Sequence, residues 1–512
     1  MQVRPASIAA APVQLPPAPP SGDRALAGPV VRAGAAALDH VQDAAKFGVG
    51  AAVQGANIVA RKVEGSIPNW LLVSALADAD LVVLQDPAMH RGAEFTNRVV
   101  GRHDPATVDY DALRTARPLL SELDLRVAAP TDAHELVVRL DAPTADWRDR
   151  ARGAGNVAVY VDGRYHSDML ALSERDTPNR VNLAGLAAGT HHVELRWSGP
   201  DLSGPSAPPV TVRSVEPRQL TAQEALIARF APILETRVPG SDVDQRPMQT
   251  DVPMVLAPTV APLPGGGTRI TYDVLFSNED GGIPIGAAYA SLGRSLDLEI
   301  AYRVDLDAAG NRVADMFQGP VHVPYQFQGE RMGDRPILRV ATRNNMFTSQ
   351  LTHATPRWSE SPIAASAARR SDRELLVGNP WTGAMMGKET VREGKITLPG
   401  AKYPVWDARS YLYLGSSDLP RIAYERDKSI GVVLRDGSVV ELDEASRKRV
   451  MWSPLRPPMG TAIRLPDGVA SDDVIAIRVL GRDGMPLPRP GQAAAASTFV
   501  LDGQYRPRVL GF

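Results

Sequence analysis

The chain has 512 residues, no cysteine, and 56 Lys+Arg against 58 Asp+Glu, for a formal net charge of -2. That length exceeds one compact core, so two or three folded domains with linkers are expected. The near balance of charge leaves no field to hold a polyanion, which excludes a nucleic-acid partner, and the lack of thiols excludes disulfides, thiolate metal sites and a cysteine nucleophile.

Residues 1–35, rich in Pro and Ala, cannot bury enough surface to order themselves and read as a disordered tail. The opening MQVRPASIAAAPVQLPPAPPSGDR lacks the apolar core of a signal peptide and reads as the start of a mature chain. Together with the missing thiols this points outward, to a secreted or periplasmic protein. Residues 36–121 read as a helical segment and linker. Val41, Ala44, Gly48, Ala52 and Val59 recur at helical spacing, and Asn69 to Asp86 gives a second helical or mixed segment closed by Pro87. No run reaches the roughly 18 to 20 apolar residues that span a bilayer, so no transmembrane segment is expected. Arginine outnumbers lysine but is scattered, which reflects a GC-rich bacterial genome and not phosphate binding.

From 122 to 217 the texture changes to short alternating runs spaced near ten residues, such as HELVVRLDAP, GNVAVYVDGRYH and GTHHVELRW. Breaks at Gly, Pro, Asn and Asp between such runs predict an immunoglobulin-like β-sandwich that folds by itself. Asp162-Gly163 is the favoured pair for a two-residue hairpin turn. Trp147, Tyr160, Tyr165 and Trp197 all fall here; Tyr160 and Trp197 are expected in the core and the other two at the rim, where aromatic faces can stack on sugar rings.

Residues 218–512 open with a helix start, Thr221 and Glu224 standing in the capping-box relation. Strand and turn follow, in TRITYDVLF, LDLEIAYRVDLDAAGNRV, RPILRVATR, SYLYLG, IGVVLRDGSVVEL and DDVIAIRVLGRDG. The expectation is one large β-sandwich or jelly-roll-like domain, with a split near 370 as an alternative. The whole chain is therefore read as mainly β.

Chemistry is most expected around FSNEDGGIP, Phe276 to Pro284. Gly281 and Gly282 supply a bend, and Asn278, Glu279 and Asp280 stand at its edge. Asp297 and Glu299 then point to one face of a strand while Leu298 and Ile300 point to the other. That face is either solvated surface or the wall of a polar cleft. If the turn packs against it, four carboxylates converge as catalytic candidates, and their repulsion needs a cation such as calcium, protonation of one acid, or a nearby Arg294. Asn344, Asn345, His353 and Trp358, in NNMFTSQLTHATPRW, combine amides, imidazole and indole as a sugar site does, and His322 and His353 flank the carboxylate strand.

The order ALIARFAPIL, TDVPMVL, ITYDVLFSNEDGG, DLEIAYRVDLDAAGNRV, over residues 225–347, resembles the Vps62-type domain. That family carries a strand signature His-x-x-Asp-Trp-Glu. Asp297 and Glu299 match its acids, while Arg294 replaces the His and Leu298 the Trp. The resemblance implies a sandwich with a polar strand face and no particular activity.

Other motifs fail on spacing. DLDAAGN from Asp305 begins like a calcium loop but has Ala309 and Met316 at ligand positions, so it reads as a hairpin turn. GAMMGKE from Gly383 is one residue short of a phosphate loop and has Glu389 where Ser or Thr must meet magnesium. His191 and His192 must face opposite sides of their strand. No nucleophile elbow or His-Glu-x-x-His helix appears. Three readings remain: an exported protein that binds or processes a polysaccharide through the carboxylates at 279 to 299, glycoside hydrolase-like in its paired acids; a non-catalytic envelope or adhesion protein; and a metal-dependent hydrolase. A glycan or cell-surface polymer is the expected partner, and whether the protein is an enzyme stays open.

Overall fold

A computed structural model describes residues 109–511 apart from 130, 150–151, 174–176, 178, 199–207, 236–251, 279–284, 320–321, 342–344, 351–356, 397–404, 415–428, 442–460 and 482–497. The tail and the two helical segments expected before residue 100 lie outside these described residues. The fold is mainly β, in several sheets, as the alternating runs require.

A one-turn helix α1 (Tyr110–Leu113) leads into β1 (Leu119–Val127), β2 (His134–Asp141), β3 (Gly155–Val161), β4 (Arg164–Ala171), β5 (Asn179–Asn182), β6 (Gly189–Trp197) and β7 (Thr211–Gln219). These make a sandwich: the sheet β1-β6-β3-β4 packs on β5-β2-β7 through Leu125, Leu136, Val138, Val157, Val159 and Leu195. Asp162 and Gly163 both adopt left-handed backbone, φ 51° and 78°, and join β3 to β4 in the tight turn their sequence requires.

Helix α2 (Ala222–Phe230) starts at the capping box: Glu224 N donates to Thr221 Oγ1, and Thr221 N donates to the Glu224 carboxylate. Losing such a cap costs about 1 kcal/mol, so Thr221→Ala should lower unfolding free energy by that amount in urea titrations. Next come β8 (Ile233–Glu235), β9 (Pro253–Pro262), β10 (Thr268–Phe276), α3 (Ile285–Leu292), β11 (Asp297–Leu306), β12 (Arg312–Gln318) and β13 (Pro324–Gln326). The sheet β13-β12-β11-β10-β9 is an antiparallel meander. Its β11–β12 turn is the supposed calcium loop: Asp307 Oδ1 accepts from Ala309 N and Asn311 N, both at 2.9 Å, so that carboxylate caps a hairpin.

Strands β14 (Arg331–Met332), β15 (Arg335–Val340), β16 (Phe347–Thr348) and β17 (Arg357–Trp358) follow. Here the sandwich sheet does not stop at β4. It runs on as β4-β17-β8-β15-β14, with Trp358 opposite Asp168, so one sheet crosses from the first unit into the second. Arg335 ties the same junction: fully buried, it donates to Asn182 O at 2.8 Å, Ser359 Oγ at 2.9 Å and Ala231 O at 3.0 Å.

Helices α4 (Asp372–Gly378) and α5 (Pro380–Arg392) come next. The GAMMGKE stretch lies inside α5, which rules out a loop that wraps phosphate. Arg373 places its guanidinium against the last carbonyls of α3, 3.3 Å from Leu292 O and 3.4 Å from Gly293 O, where a helix end carries partial negative charge. The chain closes with β18 (Tyr411–Leu414), β19 (Ser429–Leu434), β20 (Val439–Glu441), β21 (Thr461–Arg464), β22 (Val474–Leu480), β23 (Phe499–Leu501) and β24 (Pro507–Val509), in sheets β21-β18-β23-β24 and β20-β19-β22. Among the described residues no helix is long and apolar enough to cross a membrane.

Candidate functional site

The strand pair β10–β11 positions the carboxylates. Phe276 lies opposite Asp297 and Val274 opposite Glu299, and directly paired residues of an antiparallel ladder share a face. Asp297 and Glu299 therefore do lie on one side of the sheet. The expectation that this side faces solvent is corrected: Asp297 is 1% exposed and Glu299 6%. The cause is a register shift between Tyr272 and Asp273, which leaves Ala301 as an extra residue. Beyond it Tyr302 pairs with Tyr272 and Val304 with Ile270, so apolar even-numbered residues occupy the face that Asp297 and Glu299 occupy before it. The two acids thus sit on the core side.

Buried acids need partners. Asn345 Nδ2 donates to Asp297 Oδ2 at 2.9 Å and lies 3.1 Å from Asn278 O. Asn278 Nδ2 donates in turn to Glu393 Oε2 at 2.6 Å, and Glu393 pairs with Lys395. Gln318, the last residue of β12, donates its side-chain amide to Glu299. His322 Nδ1 is 3.4 Å from Glu299 Oε2 and 3.2 Å from Gln318 Nε2. On the opposite face Asp273 pairs with Arg369 at 2.7 Å. Burial raises the Asp273 carboxyl above its ordinary range, Arg369 opposes that, and the nearby Glu299 charge adds to it.

Two of these partners are held in an uncommon conformation. His322 has φ 59° and Asn345 φ 50°. Asn and His enter the left-handed region more readily than most side chains, yet only a few per cent of non-glycine residues lie there, and such outliers concentrate at sites whose surroundings dictate the backbone. Asp162 and Tyr505, the other non-glycine residues at positive φ among the described ones, belong to the β3–β4 and β23–β24 turns.

Asn278, Asn345, Asp297 and Glu299 are thus brought together as the sequence suggests. Arg294 is not among them: it forms an ion pair with Asp372 at the start of α4. Trp358 is buried on β17 beside the sandwich, in the core and away from a rim. Glu279, Asp280, Asn344 and His353 lie outside the described residues. Gln318, Glu393 and Lys395 were missed. Only Gln318 gives a local signal, as a polar residue ending the buried run Met316-Phe317.

A second buried polar group occupies the sheet junction. Tyr165 OH donates to Asp168, Ser198 Oγ donates to Asp168 at 3.3 Å, and Arg357 N donates to Tyr165 OH at 3.0 Å. Tyr110 stacks on Tyr165 with centroids 4.2 Å apart. Burial raises the Asp168 carboxyl to about 6, against opposing contributions from Tyr165 and Arg117. Of the four aromatics, Tyr160 is core as expected, but so is Trp147, fully enclosed against α5, while Trp197 is only partly covered and the Tyr165 hydroxyl turns inward to Asp168.

His191 and His192 do face opposite ways, His191 Nδ1 toward Asp162 at 2.7 Å and His192 Nδ1 toward Asp124 at 3.0 Å. No known family profile matches the chain, and no curated protein is similar to it. Among solved structures it is similar to an FMN-binding beta-glucuronidase from Facaelibacterium prausnitzii L2-6, at 13% identity and a TM-score of 0.13. That similarity covers 52% of this chain and 36% of the enzyme's, and so spans about a third of the enzyme's length; a TM-score of this size establishes no shared fold.

Proposed function

We propose that the chain is an exported protein that binds or processes a polysaccharide at the Asp297/Glu299 face. The observation that supports this is the pair of same-face acids, each met by a side-chain amide, with His322 against Glu299. Carboxylates, amides and imidazole also offer the mixed donors and acceptors that sugar hydroxyls require. In this reading Glu299, beside His322, is the acid/base member and Asp297 the second carboxylate, and Asn278 and Asn345 bind ligand. The Vps62-type likeness of residues 225–347 belongs to the same proposal, with Arg294 and Leu298 in place of the signature His and Trp.

A second reading is a non-catalytic envelope or adhesion protein, favoured by the burial of both acids beneath their partners. Retention on insoluble chitin, cellulose and peptidoglycan, and release of reducing ends from soluble pectin and xylan, separate the two. Under the first reading Glu299→Gln lowers retention or turnover by about 100-fold, the scale of general acid–base catalysis, with unfolding free energy within about 1 kcal/mol of wild type. Retention and turnover that are absent in the wild type, or unchanged in Glu299→Gln, would leave the adhesion reading.

A further inference from the structure

Away from that face, four side chains with metal-ligand chemistry share one patch of the sandwich. On β1 and β6, Glu122 lies opposite Glu194 and Asp124 opposite His192. Paired residues share a face, and so do residues two apart, so all four project from the same side of the sheet. Glu122 and Asp124 are exposed and His192 is partly so, which leaves the patch open to solvent.

We propose that His192, Glu122 and Glu194 form a binding site for a divalent cation of the zinc class, independent of the glycan reading. Their ligand atoms lie within 4.8 Å of one another. His192 Nε2 is 3.4 Å from Glu122 Oε2 and 3.6 Å from Glu194 Oε1. Bonds of about 2.0–2.2 Å at tetrahedral angles place donor atoms about 3.3–3.6 Å apart, so those two separations already match a tetrahedral edge. The fourth position faces solvent and would hold water.

The surrounding groups are those a metal site uses to orient its ligands. Asp124 Oδ1, 3.0 Å from His192 Nδ1, fixes the tautomer whose free Nε2 points at the two glutamates. Glu194 accepts from Arg114 at both oxygens, the Oε1 that faces His192 included, and from Arg196, whose Nε donates to Oε2 at 2.9 Å, so an ion takes the second lone pair of Oε1. The arginines also relieve the repulsion between Glu122 and Glu194, two like charges directly opposite. An imidazole among the ligands selects a borderline transition ion over calcium or magnesium, which prefer oxygen alone.

The test is a cobalt(II) titration of the full chain, free of any histidine tag, followed by visible absorption and checked by zinc displacement. A tetrahedral cobalt band that zinc removes is expected in the wild type. His192→Ala should abolish it, and Asp124→Asn should weaken binding by about 10- to 100-fold. His191→Ala, on the opposite face, should leave it unchanged. No band in the wild type, a band that survives His192→Ala, or displacement by calcium as readily as by zinc would overturn the assignment.

Discussion

Replacing Trp147 by alanine is expected to remove about 3–5 kcal/mol of stability, the range for deleting a buried indole. Trp147 is fully buried and its Nε1 donates to the Glu389 carboxylate on α5. The Arg392 guanidinium lies 4.6 Å from the indole centroid and donates to Trp147 O at 3.3 Å. The ring therefore fills space, donates a hydrogen bond to a buried acid and covers a buried cation at once. Alanine leaves a cavity and takes the indole donor from Glu389. Trp147→Phe keeps most of the packing and loses only the N–H, so it should cost about 1–3 kcal/mol. Urea unfolding of the three proteins gives the comparison. A loss below 1 kcal/mol in Trp147→Ala would show that the sandwich does not lean on α5. The same contacts bear on residues 122–217 in isolation, since an excised fragment would uncover both Trp147 and Asp168.

Stability should also depend on pH through Asp168, by about 3 kcal/mol, because a shift from 3.8 to about 6 is roughly two pKa units. The folded chain holds this proton more tightly than the unfolded one. The group's contribution is therefore fully present below pH 3.8, falls as pH rises toward about 6, and is flat above. His166 acts in the opposite sense: burial lowers it to about 3, so folding disfavours its protonation and stability rises with pH from about 3 to 6.5. The two slopes overlap and largely cancel in the wild type. Asp168→Asn isolates the first, since asparagine retains an oxygen to accept from Tyr165 OH but does not titrate. On acidification from neutral pH the wild type should gain about 3 kcal/mol of unfolding free energy relative to the variant. A pH-independent difference would mean that Asp168 titrates alike in the folded and unfolded chains.

Much of the fold was legible because its cues are local. Asp162-Gly163 dictates its turn through backbone sterics, Thr221 and Glu224 dictate a helix start through two reciprocal hydrogen bonds, and TRITYDVLF coincides with β10. The pairing of Asp297 and Glu299 on one face followed from strand periodicity alone. Asn278 stood out at the edge of the turn and Asn345 as an amide of NNMFTSQLTHATPRW, although nothing local showed that one would reach Glu393 and the other Asp297.

What lies on each side of a sheet is a different kind of fact. Read along β11, Leu298, Ile300, Tyr302, Val304 and Leu306 form one apolar row, which assigns the core to the even positions and solvent to Asp297 and Glu299. One extra residue at Ala301 breaks that row, and because side chains alternate with period two, it exchanges the faces at a stroke. Arg294 likewise had a plausible partner in the nearby acids, but α4 brings Asp372 to it from 78 positions away in sequence. The sequence by itself determined the main strands, their turns and which residues share a strand face, though not the helices α3, α4 and α5. Only the tertiary structure decided which face is buried and who partners each charge, because a single bulge and the packing of distant segments set both, and neither leaves a periodic trace in the chain.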